Sequence, residues 1–150
     1  MTLTRQPVGD ASAWTPADLE RDRSWDVTLD EAERRELLDG LAAVKARRAE
    51  IGRMRAGDFP VGSRLKALAE KIGTACRDGR GFIVLHGFPI EGLSADDIRL
   101  AYWGLSLQLG TCVSQDKHAA LVADVMDKGQ VKTPLTRAYG SKKESKTEAV

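Results

Sequence analysis

The chain has 150 residues, with 23 Lys and Arg against 22 Asp and Glu, a formal net charge of +1. So even a balance supplies no bulk field to attract nucleic acid or an acidic membrane surface. With 42% hydrophobic and 30% charged residues the composition is that of an ordinary soluble domain, one domain is expected from the length, and no apolar run approaches the roughly 20 residues of a bilayer span.

Met1-Thr-Leu-Thr-Arg-Gln-Pro7 lacks the apolar core of a secretory leader, so the expected compartment is the cytoplasm. Residues 1–13 read as irregular. Thr15-Pro-Ala-Asp-Leu-Glu20 has a capping residue, proline at the first helical position and acids in the first turn, which predicts a short helix. Trp14 and Trp25 bracket it and are expected to pin it to the body of the fold, since indoles bury large areas. Thr28 with Glu31 reads as a capping box opening a long helix, with Leu37, Leu41, Val44, the stem of Arg48 and Ile51 on one face and Gly52 at its end. The basic run Lys45-Ala-Arg-Arg48, with Arg53 and Arg55, alternates with apolar residues and reads as a solvated helix face.

Met54 to Pro60 is a predicted connector containing Gly57 and Pro60. Ser63 begins a second helix whose Leu65, Leu68, Ala69, Ile72, Ala75 and Cys76 recur at helical spacing, with Gly79 as its cap. Cys76 and Cys112, far apart and in no metal or redox spacing, are expected to be reduced thiols in or near the core. Phe82 to Leu85 is continuously apolar and predicts a strand covered on both faces. Ser94 with Asp97 starts a third helix, with Ile98, Ala101, Tyr102, Leu105 and Leu109 inward and Gly110 as its stop. Tyr102 and Trp103 are neighbours, so only one can face the core squarely. Short strands are predicted at Thr111–Ser114 and Ala120–Met126. Residues 130–150 lack the apolar surface to order themselves and read as a disordered tail.

Several words in this order resemble the TauD/TfdA family, the taurine-dioxygenase-like and clavaminate-synthase-like Fe(II)/2-oxoglutarate oxygenases. They are Arg80-Gly-Phe-Ile-Val-Leu-His-Gly-Phe-Pro89, Tyr102-Trp-Gly-Leu-Ser-Leu-Gln-Leu-Gly110 and Ser114-Gln115. Trp14-Thr-x-x-Asp-Leu and Asp22-x-Ser-Trp25 upstream, and Val122 to Gly129 and Arg137 to Ser145 downstream, extend the likeness over roughly Trp14 to Ser145. The resemblance implies an α+β fold: N-terminal helices plus the early strands of an incomplete double-stranded β-helix, or jelly roll, over residues 14–129. For a complete member it also implies Fe(II), 2-oxoglutarate and oxidation of a small-molecule substrate.

That family binds iron through a His-x-Asp pair on one strand face and a distant histidine, which leaves open positions for cosubstrate and oxygen. Here Ser145 is followed by Lys-Thr-Glu-Ala-Val150, which reads as a chain cut before that motif. The expectation is accordingly no catalytic, cofactor-binding or metal residue, and no iron or 2-oxoglutarate bound by this chain. Gln115, Tyr139, Ser141 and Glu144 are the residues that would line a substrate pocket in a complete enzyme; as loop and tail residues they would simply be solvated. His86 reads as a structural histidine at the end of the strand. His118 reads as a solvated loop residue, although Asp116-Lys-His118 with His86 is formally a reversed ligand set.

A reading from another class needs no oxygenase ancestry: a stand-alone α+β interaction module, since its caps, helical faces and strand are mutually consistent. The two readings differ at the sheet. A self-sufficient domain covers or blunts its strand edges, whereas part of a jelly roll leaves an edge and apolar patches open. The second outcome predicts a partly formed, aggregation-prone or self-associating protein.

Overall fold

The structure, a computed structural model, describes residues 8–114 and 120–123. The chain divides into two units, Met1–Val113 and Ser114–Val150. The helices and strands below belong to the first; residues 114 and 120–123 adopt neither state. The strand expected at Thr111–Ser114 is therefore absent, as is its successor over 120–123. Residues 124–126 and the tail from 130 lie outside the described residues.

Thr15 opens the first element, α1 (Pro16–Arg21), through the reciprocal capping box its sequence announces: its hydroxyl accepts from the Asp18 backbone and Asp18 reaches back. A strand the sequence did not reveal, β1 (Asp26–Thr28), follows. Thr28 is committed to that strand, so the cap of α2 (Glu31–Ala46) moves two residues on, from Thr28 to Asp30, with Glu33 completing the box. The helix also ends sooner than its apolar pattern implies, because Arg48 takes a left-handed φ of 51° and breaks the α-helical run. Ile51–Arg53 and Ala56–Asp58 are short 3-10 turns.

Next comes α3 (Ser63–Arg77), on whose face Leu65, Leu68, Ala69 and Ile72 are buried. Ala75 lies only at its margin and Cys76 is exposed, which corrects the expectation of a core thiol. Gly62, at the N-cap, has no side chain to offer, and the cap comes from another helix. The Glu36 carboxylate on α2 accepts from the backbone N–H of Leu65 at 2.9 Å and of Arg64 at 3.4 Å. A β-carbon at Gly62 would collide with that carboxylate, so glycine here is the space that lets a neighbouring helix satisfy orphan donors.

After α3 comes β2 (Val84–His86), which pairs parallel with β1 in the register Asp26 to Val84, Val27 to Leu85 and Thr28 to His86. The helices α2 and α3 thus form the crossover that a parallel pair requires. The run Phe82–Leu85 is not covered on both faces: Val84 is 38% exposed. Finally α4 (Ala95–Leu109) starts at Ser94, whose hydroxyl accepts from the Asp97 backbone, and stops at Gly110. Its inner face is Ala101, Trp103, Gly104 and Leu105. Trp103 is 4% exposed and Tyr102 56%, so of the adjacent aromatics the indole takes the core and the phenol turns outward, with Leu109 also exposed.

The helices α2, α3 and α4 pack on one another around Phe59, 1% exposed, which comes from the connector. A β-carbon at Gly40 on α2 would stand 2.5 Å from the Phe59 ring, and one at Gly104 on α4 would overlap it. The Phe59 ring therefore sits against both helices at that level, with the Pro60 carbonyl oxygen also beside Gly40. Lys45 on α2 pairs with Asp97 on α4 at 2.7 Å, so the two helices run antiparallel past the ring. Arg47 and Gln108 fasten the connector itself by donating to the carbonyls of Asp58 and Ala56.

Candidate functional site

Outside the helical core, side chains from the N-terminal segment meet the end of α3 and the approach to β2. The Trp14 indole N–H donates to the carbonyl of Arg80 at 3.1 Å, and its ring meets Phe82 edge-on at 5.2 Å. Trp25 tilts against the same phenyl ring at 5.7 Å, with its N–H on the carbonyl of Leu19 at 3.1 Å. The Arg80 guanidinium, largely shielded, donates to Ser24 Oγ at 3.1 Å and Asp22 Oδ2 at 2.8 Å. The pinning role expected of Trp14 and Trp25 is thus realised, although Trp14 remains 41% exposed. Between the segment and the body lies a cleft of about 580 Å³, within the size range of small-molecule pockets.

The carboxyls around this cleft are held below the usual carboxylate range by local donors. Asp22 owes this first to the Ser24 backbone N–H and then to Arg80. Asp18 owes it chiefly to the Thr15 hydroxyl and backbone, and Asp10 to the Ser12 hydroxyl and backbone.

A second constellation sits on the two-stranded sheet. Because Asp26 stands opposite Val84, His86 is two residues along and on the same face. His86 Nε2 lies 2.6 Å from Asp26 Oδ1, and Arg23 Nη2 lies 2.7 Å from the other carboxylate oxygen. Asp26 is held below the usual range, first by the Arg23 hydrogen bond and then by His86. The Arg23 guanidinium also lies 5.3 Å from the centre of the Trp25 ring, a cation–π distance. His86 therefore ties β1 to β2, a structural part as the sequence implied, but on an exposed face. Among the described residues no group of three His, Cys, Asp or Glu is placed to hold a metal ion.

The four substrate-pocket residues read from the sequence, Gln115, Tyr139, Ser141 and Glu144, lie outside the described residues, as do Asp116 and His118. Sequence reasoning missed the coupling of Arg80 to Asp22 and Ser24. It also missed the pairing of His86 with Asp26. Both depend on β1, which three residues could not announce.

Taken together, the described residues define an α+β protein: a three-helix layer with a short parallel strand pair and an N-terminal segment folded against its flank. No family model matches the chain. It is similar to FR-33289 synthase of Streptomyces rubellomurinus (strain ATCC 31215), with 27% identity over 139 residues. The aligned region covers 91% of this chain and 41% of that protein, so the chain spans well under half the length of the relative it matches. No helix among the described residues is long and apolar enough to cross a membrane.

Proposed function

We propose that this chain is a distant member of the TauD/TfdA-type oxygenases. Its helical layer and strand pair are then the support on which the double-stranded β-helix of a complete enzyme is built. The observation that carries the reading is the run of similarity to FR-33289 synthase across 91% of the chain, which takes in the sequence words at Arg80–Pro89 and Tyr102–Gly110. The exposed β2 agrees with it, since a strand destined for a larger sheet leaves a face and an edge for neighbours. Self-association through that edge is part of the same reading.

In a complete enzyme the bound iron and 2-oxoglutarate would supply the oxidising chemistry toward a small molecule. What the described residues do is position: Phe59 spaces α2 from α4, Glu36 caps α3, and His86 with Asp26 fixes the register of the strands. Residues 8–114 are not assigned any iron ligand.

The test is a chimera in which the matching 41% of FR-33289 synthase is replaced by this chain, titrated anaerobically with Fe(II) and 2-oxoglutarate. The visible metal-to-ligand charge-transfer band is expected from the chimera and from the unmodified synthase, and not from this chain by itself. A folded, soluble chimera without the band contradicts the reading, as does a synthase without it. A band at one iron per chain from this chain by itself would overturn the expectation that this chain binds no iron.

One observation favours the second reading, a small interaction module: the helical core closes around Phe59 using residues between Leu29 and Leu105. Hydrogen exchange separates the two: protection of Val84–His86 as strong as that of the helices favours the module.

A further inference from the structure

We infer that the cleft between the N-terminal segment and the start of β2 is a binding site for a small organic monocation, an ammonium on an aromatic or alkyl body. The cleft holds about 580 Å³ and is walled by Trp14, Trp25 and Phe82. Three aromatic rings supply an apolar floor and electron-rich faces. One of these rings already accepts a cation: the Arg23 guanidinium stands 5.3 Å from the centre of Trp25.

The charges around the cleft decide the sign of the ligand. Five charged side chains line it: Asp10, Asp18, Asp22, Arg21 and Arg80. Arg80 is neutralised by Asp22 at 2.8 Å and Arg21 by Asp18 at 3.1 Å. That leaves Asp10. Its Oδ1 accepts from the Ser12 backbone at 2.9 Å and from the Ser12 hydroxyl at 2.6 Å, neutral donors that fix the carboxylate without cancelling its charge. An aromatic floor with one oriented carboxylate at the rim, uncompensated among the described residues, matches a ligand with one positive charge and an apolar body. An anion would meet Asp10 unscreened, because both arginines are already engaged.

The 150-residue chain is titrated at neutral pH with phenethylammonium and, in parallel, with 3-phenylpropionate, which has a similar body and the opposite charge. Intrinsic tryptophan fluorescence and calorimetry are the readouts. Phenethylammonium is expected to saturate with a Kd of roughly 1 mM or tighter, and phenylpropionate to show no saturation. Asp10→Asn should weaken the ammonium about fivefold, the worth of one exposed charge contact, and Asp10→Glu should restore most of it. Trp14→Leu should weaken phenethylammonium in the calorimeter while the thermal melt of the helical core stays in place, since Trp14 lies outside that core; unchanged affinity overturns the site. Equal binding of the two probes, or an Asp10→Asn variant with unchanged affinity, overturns the assignment of a cation. Absence of saturation by phenethylammonium in the wild-type chain overturns the site.

Discussion

The helical layer and the strand pair are held by different means. In the helical layer, large apolar side chains are buried to completion, and the helices approach so closely that two glycines are required beside Phe59. In the strand pair, by contrast, exposed Val84 and His86 flank a half-buried Leu85, and a side-chain tie across it is the 2.6 Å contact of His86 Nε2 with Asp26. Close packing punishes single-atom changes, whereas exposed polar ties contribute little each. The contrast teaches that, among the described residues, stability resides in the helices, while the strand pair keeps an open face.

Five substitutions sharpen that contrast, from the largest expected effect down. Phe59→Ala should cost about 3–5 kcal/mol, visible as a large drop in the urea midpoint; a loss below about 1 kcal/mol would mean the ring is no spacer. Gly40→Ala and Gly104→Ala come next. In an exposed helix such a change would gain up to about 1 kcal/mol, but here the added methyl meets the Phe59 ring, and overpacking of about 1–3 kcal/mol should win. The sign of the change in thermal melting is the check.

Removing the borrowed cap by Glu36→Ala should cost about 1 kcal/mol, the usual worth of an N-cap, and should raise amide exchange in the first turn of α3 more than elsewhere. Val84→Thr, on the open strand, should change stability by less than about 0.5 kcal/mol; a larger loss would place the strand within the closed core.

The ion-paired strand face gives a pH dependence of defined sign. Asp26 is held below its ordinary value of 3.8 in the folded protein, first by Arg23 and then by His86. The folded state thus favours the carboxylate more than the unfolded chain does. The resulting stabilisation is complete above the ordinary value and fades as pH falls through the lower folded one. Urea midpoints measured between about pH 5 and 2 should fall less steeply for Asp26→Asn than for the wild type; identical slopes would remove Asp26 from the acid transition.

Much of the helical layer was legible because its signals are local. The Thr15-Pro16-Asp18 start of α1, the inward face of Leu37, Leu41 and Val44, and the Leu65 to Ile72 stripe all follow from caps and a period of 3.6. The α+β class followed with them. What stayed hidden is what depends on tertiary partners. Phe59 sits among Gly57 and Pro60, where breakers announce a connector and say nothing of a phenyl ring filling the gap between two helices. Three residues of β1 carry no periodicity, so from sequence alone Thr28 reads as a cap. The run Phe82–Leu85 reads as a buried strand because apolar continuity is a property of the strand, while its cover belongs to whatever packs on it. For the candidate site, Trp14 and Trp25 were readable as anchors. The cleft they build with Arg80 and Phe82 was not, since those residues are 66 and 57 positions away in the chain from Trp14 and Trp25.

The most direct test of the difference between the two regions is amide hydrogen exchange on the full chain, with sedimentation under the same conditions. Slow exchange is expected across Leu37–Val44, Leu65–Ile72 and Ala101–Leu105, and exchange faster by orders of magnitude at Val84–His86. A monomer in which Val84–His86 is protected as strongly as those helices would contradict the account, because the strands would then belong to a finished domain.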